Sequence, residues 1–220
     1  MLSTDEIMSA FADCIFTDLT NENYYDNIIE RMDSTFDFDY ASGISKLVII
    51  PDNDDIVIKI PLCGQTNEYY DPDDEDSDES PIWYFSEAGG DWDYCSLEEK
   101  NYHKAKECGV DKFFAETEWI GFVKGHPIYI QKKVTEVFEL HRDSSSYKNR
   151  QGTREKCKSL GVNCFHSCWL SDFLNYYTEE DLFDLDMFLC DCGIGDLHGG
   201  NLGYMKDGRP IIFDYSDFWD

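Results

Sequence analysis

The chain of 220 residues carries 46 acidic and 18 basic side chains, a net charge of −28 at pH 7. Residues 1–99 hold −23 of that charge, from 26 acidic and 3 basic groups, and such a field opposes nonspecific attachment to nucleic acid or to an anionic membrane. The length suffices for one large domain or two lobes, the 15% aromatic content supports a real core, and no apolar run approaches the ~20 residues of a membrane span.

Ser3-Thr4-Asp5-Glu6 has the pattern of a capping box. Ile7, Met8, Phe11 and Ile15 then share one face at helical spacing, which predicts a helix over about 4–18. A second helix is expected near 22–33. Alternation in Phe36, Phe38 and Tyr40, followed by Leu47–Ile50 and Ile56–Ile60 with Asp, Asn and Pro between them, predicts an antiparallel strand meander. Residues 64–95 read as an insertion. The run from Asp71 to Ser80 is too charged to bury, and Trp83-Tyr84-Phe85 on its flank is expected to fold back onto the body. Ser96 is expected to open a helix that Cys108-Gly109 closes. Strands at about 117–123 and 127–133 follow, joined by Lys124-Gly125.

Residues 124–158 depart from the acidic trend, with nine basic and four acidic side chains. A solvated loop is the favoured reading, and a patch that meets phosphate or the chain's own acidic segment is the alternative. A helix is expected around 165–177. Thr178-Glu179-Glu180-Asp181 caps another, which carries Leu182, Leu185, Met187, Phe188 and Leu189 into Gly193. Cys157, Cys164, His166 and Cys168 lack the Cys-x2-Cys knuckles of a zinc site and read as buried thiols. Nine cysteines form an odd count without a small-scaffold spacing, and no basic start leads into an apolar signal core. Together these imply a reducing, cytoplasmic setting.

The most informative stretch is Gly195-Asp196-Leu197-His198-Gly199-Gly200-Asn201-Leu202-Gly203-Tyr204, then Lys206-Asp207-Gly208-Arg209, then Ile211-Ile212-Phe213-Asp214-Tyr215-Ser216. Asp-Gly between apolar runs predicts a hairpin, which would draw Asp196, Asn201 and Asp214 toward one another. Such a set suits phosphoryl transfer from ATP. One carboxylate orients or deprotonates an attacking hydroxyl, while an amide oxygen and a second carboxylate hold Mg2+ against the phosphates.

Taken in order, these pieces resemble the protein-kinase-like superfamily over about residues 40–216, especially its compact bacterial and phage branches and the aminoglycoside-phosphotransferase and RIO-type relatives. The resemblance implies an α+β, two-lobed fold with an antiparallel N-lobe sheet and a minimal, truncated helical C-lobe. Residues 1–35 would form an N-terminal helical segment, 36–133 the N-lobe with its acidic insertion 64–95, and 134–220 the C-lobe. Val57-Ile58-Lys59-Ile60 matches the family's Val-Ala-Ile-Lys one residue early and makes Lys59 the nucleotide lysine. Glu99 would pair with Lys59, with Glu98 competing, although Ser96-x-x-Glu99 is also a capping box. Ser42-Gly43-Ile44-Ser45 stands where the phosphate-covering loop lies, with one Gly where protein kinases use three.

By the same resemblance, Tyr129-Ile130-Gln131-Lys132 is the hinge whose backbone reads adenine. Asp196 is the catalytic-loop Asp, Asn201 the metal-binding Asn and Asp214 the Asp of Asp-Phe-Gly, followed here by Tyr215-Ser216. His198 either braces the loop through hydrogen bonds or is structural. His141-Arg142-Asp143 also has the tripeptide of the catalytic loop, but its Asn149 falls one residue late and no strand-borne Asp follows soon after, so it reads as coincidence. The chain stops at Asp220, so no activation segment or helical substrate platform is expected. An acceptor would be held by residues 134–177, by the N-terminal helices or by another subunit.

The expectation is an ATP- and Mg2+-dependent phosphotransferase acting on a hydroxyl of a small molecule or protein. Its partners would be the nucleotide and an acceptor or protein partner, with no direct nucleic-acid or membrane binding. Two alternatives stand beside it. A pseudokinase-type nucleotide- or protein-binding module is suggested by the reduced loop. An acidic mimic of nucleic acid that occupies a DNA- or RNA-binding protein is suggested by the charge of residues 1–99.

Overall fold

A computed structural model describes residues 2–14, 26–32, 35–42, 45–65, 82–85, 93–137, 155–162, 170–195, 197 and 199–216. The architecture is mixed α+β, and the chain divides into two compact units: Met1–Ser96 with Thr117–Lys132, and Leu97–Glu116 with Lys133–Asp220. Among the described residues no helix is long and apolar enough to cross a membrane.

The first unit begins with α1 (Thr4–Ala12) and α2 (Asp26–Met32). Ser3 caps α1 as its sequence predicts: the Ser3 hydroxyl accepts the Glu6 N–H at 3.3 Å while the Glu6 carboxylate accepts the Ser3 N–H at 2.8 Å. The helix expected over about 4–18 is shorter: α1 ends at Ala12 with Asp13 as its C-cap, and residues 15–18 lie outside the described residues. An antiparallel sheet follows, from β1 (Phe38–Ser42), β2 (Lys46–Pro51), β3 (Ile56–Gln65), β4 (Ile82–Phe85), β5 (Thr117–Val123) and β6 (His126–Lys132). Five strands run in the order β1-β2-β3-β6-β5, and β4 pairs with Leu62–Gln65 at the end of β3. The Trp83-Tyr84-Phe85 flank is therefore a strand of the sheet. Residues 66–81, which contain the Asp71–Ser80 run, lie outside the described residues.

Pairing fixes which side chains share a face, because directly opposed residues in an antiparallel pair point the same way and the period is two. Leu47, Ile49, Ile58, Ile60, Leu62 and Ile128 pack with Ile7 and Phe11 of α1 and Ile28 and Met32 of α2. This forms the apolar core of the first unit. Gly121, at φ +151°, sits in a bulge of β5 where an added Cβ would lie 2.8 Å from the Met8 methyl carbon, so it gives α1 room against the sheet. The opposite face mixes polar side chains with Val48 and Val57. Val48 lies opposite Lys59, Lys59 opposite Tyr129, and Gln131 opposite both Val57 and Thr117.

α3 (Tyr94–Cys108) opens on Asp93, whose Oδ1 accepts the Ser96 N–H at 2.9 Å. The expected start at Ser96 is thus displaced by two residues, because the carboxylate three positions earlier takes the capping role. Gly109 at φ +74° closes the helix as expected. The second unit continues through a 3-10 turn (Asp111–Phe113), β7 (Glu136–Val137), α4 (155–160), α5 (Leu170–Leu174), α6 (Glu179–Cys192), a second 3-10 turn (Gly199–Asn201), β8 (Leu202–Tyr204) and β9 (Pro210–Ile212). β7 and α4 fall in the stretch that the sequence presents as a basic loop. β7 adds to the hairpin through Glu136 opposite Tyr204, so this end of the stretch is sheet edge.

α6 has the caps read from its sequence, with Thr178 at its start and Gly193 at φ +69° at its end. It buries Leu182, Leu185, Phe188 and Leu189 against Phe113, Phe114, Phe173 and Ile212. The Phe113 ring lies 4.3 Å from Tyr177, and Phe114 meets Tyr215 edge-on at 4.9 Å, the offset geometry aromatic pairs favour.

Candidate functional site

In the second unit the candidate residues Asn201 and Asp214 flank the β8–β9 hairpin, just before β8 and just after β9. The turn forms as the Asp-Gly signal predicts. The Gly208 N–H donates to the Met205 carbonyl at 2.8 Å, the Met205 N–H donates to the Arg209 carbonyl at 2.8 Å, and Gly208 takes φ +81°. The Asp207 carboxylate accepts the Arg209 N–H at 3.1 Å and steadies the turn. A turn closed by a left-handed glycine matches the twist of the flanking strands. Leu202 then pairs with Ile212, Gly203 with Ile211 and Tyr204 with Pro210.

This register brings the two ends of the hairpin together. The Asn201 carbonyl accepts the Phe213 N–H at 2.9 Å and the Asp214 N–H at 3.4 Å. Asn201 and Asp214, thirteen residues apart, are thereby tied to each other through the backbone, and both remain half-buried. The Asp214 carboxylate accepts the Ser216 hydroxyl at 3.3 Å. Asp196 and His198 lie outside the described residues.

Tyr215 anchors this end of the chain. Its hydroxyl donates to the Ala115 carbonyl at 2.6 Å, its own carbonyl accepts the Asn101 amide at 3.1 Å, and its side chain is fully buried. Tyr215 thus makes a hydrogen bond through its hydroxyl that a Phe could not make. The turn end of the hairpin is fixed in the same way. Arg209 Nη1 donates to the Lys112 carbonyl at 2.7 Å, and the Tyr177 hydroxyl lies 3.0 Å from both the Lys112 and Pro210 carbonyls. Burial pushes the Tyr177 phenol up to about 12, so it stays a neutral donor.

The donor set of Asn201 and Asp214 consists of an amide oxygen and a carboxylate, hard oxygen ligands of the kind Mg2+ takes, with its remaining positions filled by water and phosphate. The residues present fit that ion. Among the described residues no group of three His, Cys, Asp or Glu side chains is placed to hold a metal.

In the first unit Lys59 lies in the middle of β3 on the face opposite α1 and α2, 2% exposed. Tyr129 beside it donates its hydroxyl to Asp93 Oδ2 at 2.7 Å, while Asp93 Oδ1 caps α3. Burial, with Asp93 adding to it, pushes the Tyr129 phenol far above the ordinary tyrosine range. Asp93 was not among the residues picked from the sequence. Lying next to an acidic insertion, it has no local signal that separates it from its neighbours.

The expected hinge residues Tyr129–Lys132 lie within β6, between β3 and β5. The Gln131 side-chain amide, 1% exposed, donates to Thr117 Oγ1 at 2.8 Å. Ser42 ends β1 opposite Leu47, and Gly43 lies outside the described residues. On α3, Glu99 is only half-buried, with its carboxylate 3.2 Å from His103 Nε2 one turn later. Glu98, the competing candidate, is fully buried. No family model matches the chain, and no curated protein matches its sequence.

Proposed function

We propose that the chain is an ATP- and Mg2+-dependent phosphotransferase with a kinase-like, two-lobed fold, acting on a hydroxyl of a small molecule or protein. The observation that carries this reading is the hairpin that ties Asn201 to Asp214 through a shared carbonyl, since phosphoryl transfer needs an amide and a carboxylate of this kind held as a preformed pair. In this reading Asn201 and Asp214 hold the metal, and Mg2+ when bound neutralises charge on the transferring phosphoryl group. Lys59 contributes a second positive charge toward phosphate from the face of its sheet opposite α1 and α2. Asp196 accepts a hydrogen bond from the acceptor hydroxyl, orients it and takes its proton as the bond from that oxygen to the γ-phosphorus of ATP forms and the bond from the γ-phosphorus to the β–γ bridging oxygen breaks, with ADP leaving. The Gln131 side chain is engaged with Thr117, and in this reading it is the backbone of Tyr129–Lys132 that meets adenine.

The test is thermal unfolding with ATP, with and without Mg2+, on wild type, Asp214→Ala and Asp196→Ala. ATP at ~100 times its dissociation constant should add about 2.7 kcal/mol, a rise of roughly 5–10 °C for a chain of this length. The Mg2+-dependent part of the rise disappears in Asp214→Ala. Asp196→Ala keeps the rise and loses transfer to an acceptor. Binding without transfer in wild type would instead mark a pseudokinase-type module, and no shift under any condition would overturn the nucleotide site. The acidic-mimic reading has its own support, because the first unit carries 25 acidic and 5 basic side chains. It predicts capture of a nucleic-acid-binding protein that is lost when residues 71–79 are neutralised.

A further inference from the structure

After β9 the chain runs through Phe213, Asp214, Tyr215 and Ser216, and it is pinned on both sides of Asp214. Upstream, the Ala115 N–H donates to the Ile212 carbonyl at 2.8 Å, and the Asn201 carbonyl takes the N–H groups of Phe213 and Asp214. Downstream, the Tyr215 hydroxyl donates to the Ala115 carbonyl. A further contact reaches the backbone here from a side chain 114 positions away in sequence: the Asn101 amide of α3 donates to the Tyr215 carbonyl at 3.1 Å.

The helix itself gives no reason for an asparagine at this position. Glu98, Tyr102 and Ala105 of α3 are buried, and 98, 101, 102 and 105 have the i, i+3, i+4, i+7 spacing of one helix face. Tyr102 and Ala105 pack in the apolar core of the second unit. Asparagine is a weaker helix former than alanine or leucine, and an amide on the face that meets an apolar core is costly unless it is partnered. Its partner is the Tyr215 carbonyl, so residue 101 is explained by what it holds.

What it holds is the peptide between Tyr215 and Ser216. That peptide is planar, so fixing its carbonyl fixes its plane and the direction in which Ser216 leaves it. The Ser216 hydroxyl, on a residue 8% exposed, donates to the Asp214 carboxylate at 3.3 Å. Asn101 therefore sets the peptide, the peptide sets Ser216, and Ser216 orients the carboxylate. Removing a group that orients a metal-ligating side chain in this way weakens metal binding by roughly 10–100-fold, although the group never touches the ion.

We infer that Asn101 is a positioning residue for the metal-binding carboxylate of Asp214, acting through the Tyr215–Ser216 peptide and the Ser216 hydroxyl. The inference rests on the phosphotransferase reading, in which Asp214 takes Mg2+, and adds to it a residue of α3 that no sequence motif singled out. The test is calorimetric titration of the full chain with ATP in excess Mg2+, and with ATP in EDTA. Wild type, Asn101→Ala, Ser216→Ala and the double variant are compared, each first checked for folding by near-ultraviolet circular dichroism and for stability in urea.

Each single variant is expected to weaken ATP binding in Mg2+ by ~10-fold. The double variant should lie within ~3-fold of either single one, because the two residues act in series. A folded Asn101→Ala that loses stability but binds ATP in Mg2+ like wild type has lost only a structural contact, which would overturn the inference and leave the phosphotransferase reading standing. Losses that multiply to ~100-fold in the double variant would show two independent effects and also overturn it. So would a loss of the same size in EDTA, the mark of a general distortion of the nucleotide site. If wild type binds no ATP in Mg2+, both fall. Should Asn101→Ala fail to fold, Asn101→Asp carries the same comparison, since it keeps the shape and lacks the amide donor.

Discussion

Gly208 combines two constraints in one residue. Its φ of +81° is a conformation that side chains with a Cβ adopt at a cost, and an added Cβ would lie 2.7 Å from the Tyr176 hydroxyl. Gly208→Ala is therefore expected to destabilise the chain by about 1–2 kcal/mol, seen as a lower urea midpoint at unchanged slope. Because Gly208 closes the turn that aligns Asn201 with Asp214, the same variant should also weaken Mg2+-dependent nucleotide binding. A variant as stable as wild type would show that the turn relaxes freely. Tyr215 illustrates the converse situation, in which a residue near the site is set by packing. Its ring fills the space beside Phe114 and its hydroxyl reaches Ala115, so the identity of the residue after Asp214 is dictated by the core of the second unit.

At the scale of the element, α6 shows how a helix start gathers charge. The Lys112 ammonium hydrogen-bonded to it, together with the backbone N–H and hydroxyl of Thr178, holds the Asp181 carboxyl down to about 2, from an ordinary 3.8. The folded carboxyl is the stronger acid, so its contribution is present above pH 3.8, declines as pH falls through about 2, and is gone below that, where both states are protonated. Lys112 and Asp181 are 41% and 27% exposed, and solvent screening keeps the pair's worth under about 1 kcal/mol. Urea unfolding of wild type and Asp181→Asn across pH 2–5 should show a small acid step in the wild type that the variant lacks. An identical profile in both would remove Asp181 from the acid response. The hairpin is the other informative element. Three short pairs in β8–β9 and an edge contribution from β7 are enough to bring together residues that the chain separates by thirteen positions.

At the scale of the whole molecule, charge opposes compactness. A net charge of −28 with 25 acidic against 5 basic groups in the first unit implies self-repulsion that salt screens within ~10 Å at 0.1 M. Raising NaCl from about 10 to 150 mM should lift the melting temperature by roughly 2–5 °C, and a flat response would mean that the acidic side chains are too far apart to interact. The parts of this architecture that depend on local chemistry were legible in the sequence. Ser3–Glu6 and Thr178–Asp181 caps, Gly109 and Gly193 stops, the β1-β2-β3 meander and the Asp-Gly hairpin all follow from interactions spanning a few residues, and the composition speaks for them directly. What was not legible depended on distant partners. β4 and β7 are short segments without a periodicity of their own and exist because β3 and β8 offer them an edge. Asp93 caps α3 through a local bond from Ser96, but it became the acceptor for Tyr129 because the chain brings residue 129 back to it. The sequence by itself determined the acidic character, most of the strands and helices, and the residue types that invite phosphate chemistry. Only the tertiary structure decided that Asn201 and Asp214 meet, that Glu98 and not Glu99 is buried, and that Asn101 reaches the Tyr215 carbonyl, because register and burial are properties of pairs that no single segment contains.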